Sequence, residues 1–559
     1  MKGILIFDHL NDVLFTKCNK KFANHIQKLA KIQGLIFENK DSKLNPNVIM
    51  QLFAPIVTSQ HVMASQFGNS YTSMRCHDGT NMVFDEFMGY TFIYISTDEV
   101  ELMKRTLGVC VAIVRLKANR QKVCLVSCLL DAWVHLRNCE QSMLIEAIEQ
   151  LSINTDLGVS ILKVLHDACD KLKAQSEFSN VHILILVEQK FLSLYSSKNA
   201  HDLYASDILL MMLMYDDLYS NLILLGTEHD YTTNAVHIFE LADGINLIMI
   251  VEVANLATSS GLYDSFHYMN IINGLQLQRD IDELRPAFEN LDLAMKKALD
   301  GIKKNRANVS NDVDMCQRRL QTKWEFVRKK YMDLLRSRDP ESILQIESNM
   351  SGFMDNLKEL YRLMCFDKSF LKQGVDVLTT VGKLVRQKLN DFSDFLKVKF
   401  PGLVHFIYID RVNHRLIAPT LDFTNPETLT LTTKKIWNMV KQSRIHLEEG
   451  HLSVMWKDTT FNYAYFLWFE DSSGSPVKCK VYLNHALKNF PVPGIFCGDY
   501  YRKLAETCFP KLSPNKIRIY ELYCVHLGLA TSSCVLEHSR RLAATIWEVT
   551  GRYKAFEVN

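Results

Sequence analysis

The chain has 559 residues, too many for a single hydrophobic core, and this length predicts roughly three to four domains. Hydrophobic residues make up 48% of the sequence and charged residues 23%, which are values typical of folded globular proteins. The 64 basic and 62 acidic side chains leave a formal net charge of +2, and this balance argues against nucleic acid as a partner.

The sequence predicts neither a secretory signal nor a membrane-spanning segment. The apolar run between Lys2 and Asp8 is too short for the core of a signal peptide. The longest apolar runs, 208–214 and 247–251, are far shorter than the about 20 residues needed to cross a bilayer. None of the 14 cysteines belongs to a Cys-x-x-Cys pair. We therefore expect a cytoplasmic protein with reduced thiols.

The first part of the chain predicts the element order β-β-α-β-β-β-α. Short apolar runs separated by polar turns indicate strands, and the Asp78-Gly79 pair between two such runs is typical of a hairpin turn. Pro55 is expected to kink or restart the helix that contains it. The predicted elements are strands 3–8 and 12–17, a helix at about 45–66, strands 71–76, 82–87 and 90–95, and a helix from Asp98.

The same order recurs twice, with little residue identity between the repeats. The second unit has strands 181–187 and 191–196, a helix at 207–219, and strands 222–225, 236–241 and 245–253. The third unit has strands 403–410 and 415–419, a helix at 427–449, strands 451–457, 463–470 and 477–483, and two or more helices from about 499 to 552. Apolar stripes at 281–302 and 346–364 predict further helices packed on the sheets or on each other.

This order is that of the longin fold, and the predicted class is α+β with three longin domains. Each domain is expected to have a five-stranded antiparallel sheet flanked by helices, and helical segments connect the domains. The predicted boundaries are 1–120 for the first longin domain, 121–178 for a helical connector, 179–300 for the second longin domain, 301–399 for a second helical connector, and 400–559 for the third longin domain.

The sequence contains none of the short motifs that mark catalytic or cofactor sites. A phosphate-binding Gly-x-x-x-x-Gly-Lys loop, a Gly-x-Gly-x-x-Gly turn, a His-Glu-x-x-His pair and a Gly-x-Ser-x-Gly elbow are all missing. The histidines are dispersed, and no metal-ligand spacing is present. We therefore predict a binding protein without covalent chemistry, without a cofactor and without a metal ion.

An aromatic stretch from Phe461 to Phe469 has two interpretations. On an exposed sheet face, such side chains stack on nucleic-acid bases. Glu470 and Asp471 follow the stretch directly and would repel phosphate, so a buried central strand is the favoured interpretation. In a buried strand, replacing Trp468 with Ala is expected to cost about 3 to 5 kcal/mol of stability.

Three motifs resemble the Hermansky–Pudlak syndrome type 1 family. They are Pro-Gly-Leu-Val-His-Phe-Ile-Tyr-Ile-Asp-Arg at 401–411, Tyr-Phe-Leu-Trp-Phe-Glu at 465–470 and Gly-Asp-Tyr-Tyr-Arg-Lys-Leu at 498–504. Weaker similarities lie at 52–55, 207–210, 217–219, 244–247 and 394–399. The resemblance covers the whole chain, except that the long Ser/Pro-rich insertion of the family's middle unit is short here.

The resemblance implies a function that the residues alone do not give. Members of this family pair with the Hermansky–Pudlak syndrome type 4 protein, another tri-longin chain. The heterodimer is a guanine-nucleotide exchange factor for Rab GTPases in the biogenesis of lysosome-related organelles. A cytoplasmic protein recruited peripherally to endosomal or lysosome-related organelle membranes is therefore expected. The alternative is a Rab effector or tethering scaffold without exchange activity.

The analogy with related tri-longin pairs places the partner-binding surface on the first longin domain. There the first domains of both subunits are expected to lie side by side and bind the GTPase together. The expected contact residues lie on the helix at about 46–67 and the strands that follow it. They are Gln51, Val57, Gln60, Met63, Tyr71, Asp78, Asp85 and Glu86. The three acidic residues are candidates to compete for the phosphate-binding lysine of the GTPase; taken singly, each is better explained as a solvated turn residue.

Overall fold

The computed structural model describes residues 2–551 apart from 9–10, 36–43, 88, 117–122, 152, 154, 176–179, 199, 201, 214–220, 228–229, 253–263, 266–267, 270, 273–280, 305–310, 338–352, 354–355, 357–391, 422–425, 480–489 and 499. Within these residues three mixed sheet-and-helix units follow one another along the chain, which confirms the predicted fold class.

The first unit has the predicted sheet and one additional helix. Its elements are β1 Lys2–Phe7, β2 Val13–Cys18, α1 Lys20–Ile32, α2 Pro46–Phe67, β3 Ser73–Arg75, β4 Asn81–Phe87, β5 Tyr90–Ser96 and α3 Val100–Leu116. Helix α1 was not predicted, although Phe22, Ile26 and Ala30 are buried at helical spacing. Helix α2 continues through Pro55 as one element. The strand order is β2-β1-β5-β4-β3.

Helical elements and one short strand connect the first unit to the second. They are α4 Val123–Cys139, α5 Gln141–Ile145, β6 Ile148–Glu149 and α6 Thr155–Gln175. The second unit then contains β7 Val181–Val187, β8 Lys190–Ser196, α7 Ala205–Leu213, β9 Asn221–Thr227, β10 Asp230–Ala242 and β11 Ile245–Glu252. Its strand order, β8-β7-β11-β10-β9, is that of the first sheet.

A helical pair follows the second unit and confirms the first of the two predicted apolar stripes. The pair consists of α8 Ile281–Lys304 and α9 Asn311–Ser337. Leu284, Phe288 and Met295 are buried along α8, and the Phe288 ring stacks on Tyr331 with centroids 4.3 Å apart. The second stripe, 346–364, lies outside the described residues except for Phe353, which is buried, and Asn356.

The third unit repeats the strand order but contains one strand that the sequence did not predict. Its elements are α10 Phe392–Lys399, β12 Leu403–Asp410, β13 Arg415–Ile417, α11 Pro426–Glu448, β14 Ser453–Lys457, β15 Phe461–Asp471, β16 Pro476–Val477, α12 Tyr500–Cys508, β17 Ile517–Leu527 and α13 Ser532–Gly551. The order β14-β15-β17-β12-β13 places β17 at the centre.

The two helices predicted between about 499 and 552 are present, but the prediction missed the strand at 517–527 that separates them. A strand that is buried on both faces lacks an alternating pattern, so periodicity does not separate it from a buried helix. The fifth strand had been predicted at 477–483 instead. Of that segment only Val477 forms part of a strand, the two-residue β16, and 480–483 lie outside the described residues.

The units are packed tightly against one another. The first and second sheets face each other across α3, α4 and α7, and their side chains form one continuous apolar core. Strand β6 pairs in parallel with β13 and thereby extends the third sheet. Gln150, just beyond β6, forms an isolated parallel bridge with Phe191 of β8. The second and third sheets are thus joined at their edges. None of the described helices is long and apolar enough to span a membrane.

Candidate partner-binding surface

Helix α2 covers one face of the first sheet. Asn45 caps its start, since its side-chain oxygen accepts a hydrogen bond from the Asn47 N–H at 3.0 Å, and Pro46 occupies the first turn. The inward side chains recur at helical spacing and contact β1, β4 and β5. They are Ile49, Phe53, Val57 and Gln60, and all four are buried.

The outer face of α2 carries no formal charge. Gln51, Pro55, Thr58, Val62 and Gln66 are exposed at steps of four, three, four and four, so they form one stripe along the helix. No Asp, Glu, Lys or Arg occurs among all 22 residues of the helix. Since charged residues are depleted at the centre of protein–protein interfaces, this stripe has the composition of a contact surface rather than of an ordinary solvated face.

The edge strand β3 adjoins this helix. All three of its residues are exposed, and no described strand pairs with its outer side. Met74 pairs with Met82 and lies on the α2 side of the sheet, where 37% of its surface is exposed. Phe67, at the end of α2, is 67% exposed, and Val62 is 38% exposed. We call the outer stripe of α2 together with Phe67 and β3 the α2–β3 face.

The corresponding helices of the other two units do not offer such a face. In α7 every residue from Asp207 to Leu213 is buried, and Arg115 of α3 pairs with Asp207 at 2.9 Å. Helix α11 is partly exposed but carries Lys434 and Lys441 on its outer side. The same element is therefore covered in the second unit, charged in the third, and both uncovered and uncharged in the first.

The residues predicted to contact partners have different positions in the structure. Gln51 is exposed on the α2–β3 face, and Met63 is half-buried beside it. Gln60 and Tyr71 join the end of α2 to the strand that follows, because the Tyr71 N–H donates to Gln60 Oε1 at 2.9 Å and Gln60 Nε2 donates to the Tyr71 carbonyl at 3.2 Å. Val57 is fully buried. The structure thus gives Val57 and Gln60 interior roles, and contact with a partner stays a prediction for the others.

The three acidic residues are not brought together. Asp78 lies in the β3–β4 turn, where its carboxylate accepts the Thr80 N–H at 2.9 Å. Hydrogen bonds from the backbone and side chain of Thr80 lower the pKa of Asp78. Asp85 and Glu86 are exposed near the opposite end of β4. They point to opposite faces of the sheet, since neighbouring residues of a strand alternate. The three carboxylates therefore do not form one pocket that could bind a single lysine of a partner.

Buried ion pairs lie elsewhere, both between the units and within the third unit, and sequence reasoning did not find them. Glu146, in a left-handed backbone conformation after α5, pairs with Arg105 of α3 at 3.0 Å. Its other oxygen accepts the N–H groups of Ile495 and Phe496 at 2.8 and 3.3 Å. Arg411 pairs with Glu521 in the third unit. Among the described residues no group of three or more His, Cys, Asp or Glu side chains could hold a metal ion.

The repeated strand order and the helices on both faces define a protein built from three longin domains. Three family models match the chain, described as the first, second and third longin domains of FUZ, MON1 and HPS1. They match residues 2–144, 178–269 and 402–550 respectively. The chain therefore belongs to the tri-longin family of FUZ, MON1 and HPS1, which is known among regulators of membrane trafficking.

Proposed function

We propose that this chain is a Hermansky–Pudlak syndrome type 1 protein and one subunit of a heterodimeric guanine-nucleotide exchange factor for Rab GTPases. Its partner is the type 4 tri-longin chain, and the heterodimer serves the biogenesis of lysosome-related organelles from the cytoplasm, recruited peripherally to their membranes. The motifs at 401–411, 465–470 and 498–504 support the proposal that the chain is this particular member of the family. The uncovered α2–β3 face, whose helix carries no formal charge, carries the proposal that the first domain binds other proteins.

Nucleotide exchange requires no reactive group on the exchange factor. A GTPase that holds GDP with nanomolar affinity is stabilised by about 12 kcal/mol relative to its free components. An exchange factor offsets part of this free energy by binding the nucleotide-free GTPase more tightly than the loaded one. Differential binding of this kind needs a large, preformed contact surface. The α2–β3 face supports this proposal because the buried residues Ile49, Phe53 and Val57 hold its helix in place on the sheet.

The decisive experiment measures release of a fluorescent GDP analogue from a panel of Rab proteins. We expect the purified heterodimer to accelerate release from at least one Rab, and the chain alone to have little effect. If no Rab responds and the heterodimer instead prefers the GTP-bound form, the protein is an effector or tether. If no Rab binds in any nucleotide state, the protein is neither an exchange factor nor an effector of the Rabs tested.

Substitutions on the α2–β3 face provide the structural test. Replacing Val62 or Phe67 with Glu places a charge on an exposed position, so the chain should still fold but lose at least about tenfold in partner or Rab binding, which corresponds to about 1.4 kcal/mol. Phe326 on α9, which is 51% exposed, offers a matched control when replaced with Glu. If Phe326→Glu and Phe67→Glu weaken binding equally, the α2–β3 face is not the binding surface.

The acidic residues are tested one at a time because they lie apart. Asp78→Asn and Glu86→Gln change charge at opposite ends of β4 without changing side-chain size. If one carboxylate competes for the phosphate-binding lysine of the GTPase, only one of the two variants slows exchange. Unchanged exchange in both variants would exclude Asp78 and Glu86 as competitors for that lysine.

A further inference from the structure

The outer surface of helix α9 has a strong excess of basic residues. Between residues 318 and 336 seven basic and two acidic side chains are exposed, whereas the whole chain has only two more basic than acidic residues. One of the seven, Arg328, pairs with Asp292 of α8 at 3.2 Å. Basic residues outnumber acidic ones on this surface even without that pair, and such a local excess of positive charge attracts an anionic partner.

One stripe of this surface combines basic and large apolar side chains. Its members recur at steps of four, three, four and three along the helix, and they are Met315, Arg319, Thr322, Phe326 and Lys329. Met315 is 49% exposed and Phe326 is 51% exposed, so both apolar side chains are accessible to a partner. We call these five residues, together with Lys330 beside them, the α9 basic face.

Two cations of the α9 basic face lie against its apolar side chains. Lys330 Nζ lies 5.8 Å from the centroid of the Phe326 ring, and Arg319 Nη2 lies 3.7 Å from Met315 Sδ. In water the long basic side chains therefore cover part of the apolar surface. A partner that offers anionic groups above hydrocarbon satisfies both kinds of side chain at once, because the cations turn to the anionic groups while the ring and the thioether enter the hydrocarbon.

A membrane that contains anionic lipids offers both groups at one surface. Its headgroups attract Lys and Arg, and the acyl chains just below them accept exposed aromatic and aliphatic side chains. We propose that the α9 basic face binds such a membrane, with Arg319, Lys329 and Lys330 at the headgroups and Phe326 and Met315 at the boundary of the acyl chains. The inference rests on the peripheral recruitment proposed above and assigns it to a surface of this chain.

A nucleic acid fits the α9 basic face less well. Proteins that bind single strands stack successive bases on several aromatic rings, and this stripe contains one. Asp333 follows Lys329 on the same side of the helix and would repel the phosphates of a strand that continued along it. A bilayer needs no continuous track, because its anionic lipids move laterally to the cations.

Helix α1 of the first domain provides a matched control. It is also basic, since Lys20, Lys28 and Lys31 are exposed and no acidic residue occurs between 20 and 32. Its exposed large apolar side chain, Ile32, lies at the last position of the helix rather than among the lysines. Helix α1 thus has basic charge without the apolar side chains that accompany it on α9.

The test measures binding of the purified full chain to vesicles by flotation, with no GTPase present. One set of vesicles is phosphatidylcholine alone, and the other contains about 30% phosphatidylserine. We expect the chain to bind the anionic vesicles at least about tenfold more tightly, and to lose affinity as salt is raised. Because no nucleotide exchange is measured, failure here leaves the exchange proposal standing, and failure of exchange leaves this result unaffected.

Variants of the α9 basic face separate charge from insertion. The triple variant Arg319→Gln, Lys329→Gln, Lys330→Gln should weaken binding at least about thirtyfold, since each cation near an anionic leaflet contributes about fivefold. The charge-retaining variant Arg319→Lys, Lys329→Arg, Lys330→Arg should bind within about twofold of the wild type. Phe326→Ser should weaken binding several-fold while the salt dependence stays unchanged, because it removes apolar contact without changing charge.

The control on α1 removes the same charge elsewhere. The triple variant Lys20→Gln, Lys28→Gln, Lys31→Gln should bind anionic vesicles within about twofold of the wild type. A loss as large as that of the α9 variant would overturn the assignment to α9. So would equal binding to both kinds of vesicle, binding to neither, or a Phe326→Ser variant that binds as tightly as the wild type. Tighter binding to a single-stranded RNA than to anionic vesicles would identify the partner as a nucleic acid instead.

Discussion

Arg411 and Glu521 show what single residues contribute to this fold. Both side chains are almost completely buried, and the Glu521 carboxylate also accepts the hydroxyl groups of Tyr465 at 2.6 Å and Tyr501 at 3.2 Å. The Arg411 guanidinium lies over the Tyr501 ring at 4.3 Å. Every member of this cluster has a partner, so it fixes strands β12, β15 and β17 and helix α12 in one arrangement rather than offering a reactive site.

Removing one partner of this pair should destabilise the third domain strongly. Glu521→Ala leaves the buried Arg411 charge unpaired, a change that typically costs about 3 to 5 kcal/mol. Hydrogen exchange of β17 amides measures the effect locally in the full chain. The exposed pair Lys441–Glu99 provides the control, and Glu99→Ala should change the same quantity by less than about 1 kcal/mol. A similar cost from both variants would mean that the buried pair contributes nothing beyond a surface pair.

A buried histidine should make stability depend on pH. Burial, with smaller contributions from Lys397 and Lys190, lowers the pKa of His405 to about 3, and its Nε2–H donates to Gln141 Oε1 at 2.7 Å. In the unfolded chain the pKa is about 6.5, so the unfolded state binds the proton more tightly between these values. The stability contributed by neutral His405 is present above about pH 6.5 and is lost as the pH falls toward 3, by up to about 1.4 kcal/mol per pH unit.

The measurement compares hydrogen exchange of β12 amides at pH 7 and pH 5 in the wild type and in His405→Gln. The variant should lose part of the pH dependence. An unchanged slope in His405→Gln would show that this ring is not the titrating group. Neither His405 nor the Arg411–Glu521 pair was predictable, because their partners are 264 and 110 residues distant in sequence.

At the scale of elements, strand β15 confirms one prediction and qualifies another. It lies between β14 and β17 and is buried, as its aromatic composition and its acidic end indicated. The cost predicted for Trp468→Ala assumed that this particular side chain is in the core. Trp468 is instead half-buried beside Tyr408 and Tyr520, whereas Tyr465, on the opposite face, is fully buried.

The two aromatic residues should therefore differ. Tyr465→Ala is expected to cost about 3 to 5 kcal/mol, and Trp468→Ala roughly half of that, because part of the Trp468 ring already contacts solvent. Local hydrogen exchange in β14 and β15 reports both values. Equal costs would place Trp468 in the core after all.

Substitution of Gly108 in helix α3 should change stability in the direction opposite to that expected for an ordinary helical glycine. Replacing Gly with Ala inside a helix normally stabilises it by about 1 kcal/mol. Gly108→Ala should destabilise instead, since its Cβ would lie 2.7 Å from the Phe496 carbonyl and would push residues 493–497 away from α3. Thermal unfolding and hydrogen exchange of 495–497 measure the effect, and a higher melting temperature with unchanged exchange would contradict it.

The elements themselves were largely predictable, and the exceptions have physical causes. The hairpins β1–β2 and β10–β11 have local signals, since a polar turn separates two short apolar runs in the first and an Asp-Gly pair joins the strands in the second. Strand β17 is not part of a hairpin with such a turn, and its nearly continuous apolar run does not distinguish a strand from a buried helix. Gln51 is the only residue of the outer stripe of α2 that was predicted to contact a partner. The lack of charged residues across 46–67 could have indicated the whole stripe.

At the scale of the whole molecule, β6 joins two domains through backbone hydrogen bonds. The Ile148 N–H donates to the His414 carbonyl at 2.8 Å, and the Leu151 N–H donates to the Phe191 carbonyl at 2.8 Å. Glu149 between them pairs with Lys190 at 3.2 Å. Ile148→Pro removes the first donor and should raise hydrogen exchange at both β13 and β8. Increased exchange at β13 alone would mean that the second and third sheets are not coupled through this strand.

The same connection has a consequence for the order in which the protein is made. Strand β6 and Glu146 leave the ribosome long before β13 and residues 495–496, the groups that satisfy their hydrogen bonds. Until translation reaches the third domain, the nascent connector exposes an unpaired strand edge and a carboxylate facing only Arg105. A ribosome that stops before residue 400 therefore releases a product whose first two domains are intact in sequence yet unfinished at their surface. Such truncated chains should be recognised by chaperones and degraded rather than accumulate as partly active fragments.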